Sequence, residues 1–177
     1  VIISNNGLLS TVAWKIKDEV KYALEGSIFV SGSLIQWLRD ELGFFNDAAK
    51  SEDLANQVDN SNGVIIVPAF TGLGAPYWND KCKGAIFGLT RGVNFKHITR
   101  AALESMAYQS KDLVEVMKKE INMDIDYLKV DGGASANEYL LKFQADILNM
   151  PVYRAKNPET KSLGAARLAG LEEGFYS

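Results

Sequence analysis

Hydrophobic and polar positions along the chain switch between two periods. Residues 8–16 mix apolar and β-branched side chains and predict a strand. Lys17-Asp18-Glu19 predicts a turn, and residues 20–24 return as a second strand, so the chain opens on a hairpin. After Gly26 the spacing becomes helical. Leu34, Leu38 and Leu42 recur at i, i+4 and i+8, which predicts a helix with one apolar face, ended by Gly43. Residues 47–58 are polar and helix-compatible, and Asp59-Asn60-Ser61-Asn62-Gly63 is a turn cluster. Residues 64–67 predict a short strand stopped by Pro68, 69–84 a loop, and 85–89 another strand. A long helix is expected over 96–120, capped by Asn94, with Ile98, Ala102, Met106, Leu113, Val116 and Met117 on one stripe. Strand 127–130, helix 135–148, strand Val152–Arg154 and helix 162–173 complete the pattern.

Alternating helices and strands predict an α/β domain with a partly parallel sheet, and the opening hairpin makes that sheet mixed. No repeat, low-complexity tract or linker interrupts the 177 residues, so one domain is expected. The chain starts without Met and runs straight into a strand pattern, so its first elements are expected upstream.

Composition changes this picture little. Apolar content of 47% and charged content of 23% are those of a globular domain. A net charge of −3 argues against a nucleic-acid surface. No apolar run is long enough to span a bilayer, and the first residues lack the basic region of a signal peptide. Cys82 is the only cysteine, which points to a reducing, cytoplasmic setting. His97 is the only histidine, which excludes a metal site of several His ligands and disfavours a Ser-His-Asp arrangement. A lone His near a helix start is usually a surface or packing residue.

Two segments carry candidate chemistry. Val130-Asp131-Gly132-Gly133-Ala134-Ser135-Ala136-Asn137 ends a strand in paired glycines and opens into a helix. Glycines allow close approach of backbone to a ligand, and a helix start offers free N–H groups, so this is a nucleotide-type turn. The same residues fit local packing, and Ser135-Ala136-Asn137-Glu138 fits a capping box. Asp131 fits either a cation or ribose contact or a strand-end residue that bonds local backbone. Ser31-Gly32-Ser33-Leu34-Ile35-Gln36 repeats the design: Gly32 for access, Gln36 for an amide. Ser33 through Gln36 also fits a capping box. Phe70 through Trp78 is too irregular for a P-loop and reads as a rigid Ω-type loop. Ser162 through Gly170 is rich in small residues, which suggests close packing. The residues by themselves define no reaction.

Gly84-Ala85-Ile86-Phe87-Gly88-Leu89 followed by His97-Ile98-Thr99-Arg100-Ala101-Ala102-Leu103-Glu104 resembles the second signature of the FGGY carbohydrate kinases. Pro68-Ala69-Phe70-Thr71-Gly72-Leu73-Gly74-Ala75-Pro76-Tyr77-Trp78 is similar to the form found in the glycerol kinases of that family, as are Gln36-Trp37-Leu38-Arg39-Asp40-Glu41 and Val130-Asp131-Gly132-Gly133. The resemblance implies a ribonuclease H-like domain of the actin and Hsp70 ATPase type, the second of two around an ATP cleft, incomplete at both ends here. It implies that Gly32, Gln36, Gly133 and Asn137 contact the nucleotide. It places no catalytic residue and no metal ligand in this chain: the catalytic Asp, the glycerol-binding residues and the first phosphate loop would lie in the missing N-terminal portion. The complete enzyme would transfer the ATP γ-phosphoryl group to glycerol with Mg2+, giving glycerol 3-phosphate, while this chain alone would be inactive. Homodimers are common in the family. Another FGGY sugar or polyol kinase, or a non-catalytic actin-like module, are the alternatives.

Overall fold

Packing of one long helix against its neighbours organises the molecule. The computed structural model describes residues 3–175. Helix α3 (Phe95–Ile121) begins at Asn94, whose side chain accepts from the Lys96 and His97 N–H groups, while the Asn94 N–H donates to His97 Nδ1 at 3.1 Å. The sole histidine is therefore half of a reciprocal helix cap. Ala102, Met106 and Leu113 of the expected stripe are buried, and Ile98, Val116 and Met117 pack partly buried beside them.

Strands β1 (Leu9–Ile16) and β2 (Glu19–Glu25) form the antiparallel hairpin, with a register shift between Val12 and Trp14. Helix α1 (Gly32–Asp40) buries Leu34, Ile35 and Leu38. Leu42, expected on that face, lies beyond the helix end and is 41% exposed. The chain turns at Gly43 (φ +65°), and the Phe44 N–H reaches back to the Leu38 carbonyl at 3.1 Å. That tight ending turns Leu42 out while Phe45 enters the core.

Helix α2 (Lys50–Asn56) is followed by β3 (Ile65–Val67), which pairs antiparallel with β4 (Ala85–Phe87). Strand β5 (Leu128–Val130) pairs in parallel with β6 (Val152–Arg154) across α4 (Glu138–Leu148). Parallel and antiparallel pairing thus both occur. The single mixed sheet that was expected does not: the described residues form three two-stranded ladders. Strand β3 packs on α3, β6 packs on α4, and α3 packs on α4, so helix packing joins the strands.

Helix α5 (Thr160–Glu172) corrects another expectation. Its small residues were expected to pack, yet none of them is buried, and a Cβ built at Gly164 meets nothing within 4 Å. The loop ahead of β4 is braced as expected. A Cβ at Gly74 would stand 2.0 Å from the Ser27 carbonyl oxygen, so only glycine fits there. Trp78 Nε1 donates to the Gly7 carbonyl, and the Tyr77 hydroxyl donates to Asp112 at 2.8 Å. These contacts fasten the hairpin side of the molecule to α3.

Candidate functional site

The start of α1, the start of α2 and the segment joining β5 to α4 surround a cavity of about 580 Å3. Gly32, Gln36, Gly133 and Asn137 all line it. The first pair and the second come from opposite ends of the sequence, and the packing of α1 and α4 against α3 brings them together.

Each wall follows from local chemistry. Ser31, not Ser33, is the N-cap of α1, and its backbone carbonyl accepts from the Leu34 N–H at 2.9 Å. The capping box expected over Ser33 to Gln36 does not form, because Ser33 already lies inside the helix. Gln36 is left on the cavity wall instead. A Cβ at Gly32 would meet nothing within 4 Å.

On the opposite wall the paired glycines divide two tasks. Gly132 has φ +80°, a left-handed conformation that favours glycine. Gly133 has ordinary backbone, and a Cβ there would project into open space. Residues Gly133–Ala136 form a 3-10 turn, in which the Ser135 hydroxyl donates to the Gly132 carbonyl at 2.7 Å. That bond removes Ser135 from the expected capping box. Asn137 is the cap of α4: its Oδ1 accepts from the Leu140 N–H at 2.9 Å, and its Nδ2 donates to Ser51 Oγ at 3.3 Å. Asp131 accepts from the Thr160 hydroxyl at the start of α5.

The third wall, Ala48, Ala49, Ser51 and Glu52, was not singled out from sequence. Ala48-Ala49, two small residues ahead of a short polar helix, is the one signal that marks it. Glu52 Oε2 accepts from the Glu138 N–H, the first of α4, at 2.9 Å. A carboxylate therefore occupies the positive end of that helix. Leu103, Met106 and Leu140 form the apolar floor.

Behind the floor lies a polar network. Glu104, 7% exposed, accepts from Arg100 Nε at 3.0 Å and from the Tyr139 hydroxyl at 2.7 Å. Arg100 also donates to the carbonyls of Ala55 and Val58 at the end of α2, and its guanidinium stands 5.0 Å from the Tyr139 ring centroid. Burial first, then the hydrogen bond and charge of Glu104, push the Tyr139 phenol well above its ordinary range.

A cavity with an apolar floor, glycine openings on two walls and amide and carboxylate groups at its edge suits a flat, hydrogen-bonding ligand. Residues 1–172 match the C-terminal domain of the FGGY family of carbohydrate kinases, and the chain belongs to that family. Within it the chain is 58% identical over 173 residues to a glycerol kinase of Alkaliphilus oremlandii and 60% identical over 173 residues to one of Shewanella baltica. These alignments cover 98% of this chain but 34% and 35% of the relatives, so the chain spans about a third of their length. The fold superposes on the crystal structure of Plasmodium falciparum glycerol kinase with ADP at a TM-score of 0.87 and 37% identity, over 100% of this chain and 35% of that one. A ligand-bound xylulose kinase from Lactobacillus acidophilus shares the fold at a TM-score of 0.81 and 23% identity.

Proposed function

We propose that this chain forms the nucleoside-side wall of the ATP cleft in a glycerol kinase, with Gly32, Gln36, Gly133 and Asn137 contacting the nucleotide. The observation that carries this reading is the convergence of those four residues, from two distant segments, on one cavity. The ADP named with the Plasmodium relative and the identity to glycerol kinases from two bacteria support it.

The polarity of the wall supports an orientation. Its charged members are both carboxylates, Glu52 and Asp131. Carboxylates repel phosphate. The base and ribose therefore fit this wall, and the phosphates extend away from it. Leu103, Met106 and Leu140 offer the base an apolar floor, and Gly133 lets it approach backbone. ATP bound there supplies the γ-phosphoryl group for transfer to a terminal hydroxyl of glycerol.

In this reading the carboxylate that takes the hydroxyl proton belongs to the other domain of the complete enzyme, together with the glycerol site. The role of this wall is to bind and orient, which is the main component of catalysis in phosphoryl transfer. Mg2+ would enter with the phosphates. Among the described residues no group of three or more His, Cys, Asp or Glu side chains gathers to hold a metal. A ribonuclease H-like sheet completed by upstream strands, and a cytoplasmic location, belong to the same proposal. No helix among the described residues is long and apolar enough to cross a membrane.

A phosphorylation panel on the complete enzyme tests the substrate. With ATP as donor, glycerol is expected to turn over with far higher kcat/KM than xylulose or gluconate. Preference for a pentose or a sugar acid would overturn the assignment while leaving the family intact.

A further inference from the structure

We infer that Glu52 is a positioning residue for the nucleoside end of the cleft, acting through the first turn of α4. This rests on the reading of the cavity as a nucleotide site. Adjacent residues of α2 grip adjacent residues at the start of α4. Ser51 Oγ accepts from Asn137 Nδ2 at 3.3 Å, and Glu52 Oε2 accepts from the Glu138 N–H at 2.9 Å. One such bond would leave α4 free to pivot about it. Two, side by side, fix both the separation and the rotation of the walls on which Ala48 and Asn137 lie.

The details favour positioning over capping alone. Ser51 is 1% exposed and its hydroxyl donates to the Ala48 carbonyl, so the α2 side of the clasp is itself held. Asn137 already supplies the local cap of α4 through Leu140. The Glu138 N–H is exposed, where water would serve as acceptor. What a carboxylate from another helix adds is a charge-assisted tie across the cavity. At its far end α2 is tied to α3, because Arg100 donates to the Ala55 and Val58 carbonyls. The helix is thus secured at both ends, and Glu52 is its charged link to the nucleotide-contacting turn.

The test uses the complete enzyme and separates KM for nucleotide from kcat and from KM for the phosphoryl acceptor. Glu52→Ala is expected to raise nucleotide KM about tenfold, the value of one hydrogen bond to a charged group. Kcat and acceptor KM should stay within about twofold. Glu52→Gln keeps an acceptor oxygen but not the charge, and should recover part of the loss. Asp53→Ala, which removes only an exposed ion pair to Lys50 on the same helix, should change nothing. An unmoved nucleotide KM in Glu52→Ala, a parallel rise in both KM values, or a Gln variant as impaired as the Ala variant would each overturn the inference. If Glu52→Ala yields no soluble enzyme, Glu52→Asp decides, since the shorter carboxylate cannot reach α4. A raised nucleotide KM then supports the role and an unchanged one refutes it. Gly133→Val marks the site independently. If it raises nucleotide KM and the Glu52 variants do not, only the Glu52 role fails; if neither does, the nucleotide site itself fails.

Discussion

Asn137 carries two roles on one side chain, and its two polar atoms separate them. Oδ1 caps α4 and Nδ2 reaches Ser51. Asn137→Asp keeps the capping oxygen, so helix stability should hold, whereas Asn137→Ala should lose about 1 kcal/mol. Both substitutions remove the amide donor, so both should raise nucleotide KM well above any change in glycerol KM. Unfolding curves and steady-state kinetics of the two variants check this. Equal rises in both KM values would contradict the assignment. Gly133 differs in kind, because its Cβ position is empty and its backbone is ordinary. A side chain there should fill ligand space without straining the fold.

At the scale of elements, the Arg100–Glu104–Tyr139 network joins α2, α3 and α4 beneath the cavity floor. The Arg100 and Glu104 side chains are only 18% and 10% exposed. Removing one partner of such a pair leaves the other charge desolvated. Glu104→Ala should therefore destabilise the domain by about 3 kcal/mol, read by denaturant unfolding. The pH dependence has a definite sign. The folded-state value of Tyr139 lies above the ordinary tyrosine value of 10.0, so the folded domain keeps the proton longer than the unfolded chain. Its contribution is complete below pH 10 and is lost as pH rises beyond it. Tyr139→Phe should flatten the alkaline fall in stability. Tyr77, raised by its hydrogen bond to Asp112, and Tyr108, raised chiefly by burial, contribute a dependence of the same sign.

At the scale of the whole molecule, this chain spans about a third of its relatives' length and presents one acidic-edged wall of a cavity. On the proposed reading, this wall orients a nucleoside and the acceptor site and base lie elsewhere in the complete enzyme. The isolated chain should bind ATP or ADP weakly and phosphorylate no glycerol in a coupled assay. Measurable turnover by the purified chain would refute this. Helix α5 also belongs to this scale, since none of its small residues is buried. Composition marked those residues as able to pack closely, but only the tertiary arrangement shows that none of them is buried among the described residues.

The positions of helices and strands were legible because each depends on a local period, a glycine or a cap. The 27-residue α3 emerges from its stripe and from Asn94, and the parallel β5–α4–β6 unit from its alternation. Helix α1 ends before its apolar period does, because Leu42 continues the period while Gly43 reverses the chain one residue later. The candidate residues Gly32, Gln36, Gly133 and Asn137 were legible as two glycine-marked helix starts, and their family resemblance named them. Their convergence was not legible, since it depends on how α1 and α4 seat against α3. Ser51 and Glu52 were hidden because a polar helix reads as a solvated face until its partner is seen. Sequence alone determined which segments are able to admit a ligand, because backbone freedom and helix starts are local properties. The tertiary structure decided which of them share a cavity, and it placed a carboxylate on the start of α4, because hydrogen bonds between distant elements follow from packing and leave no period in the chain.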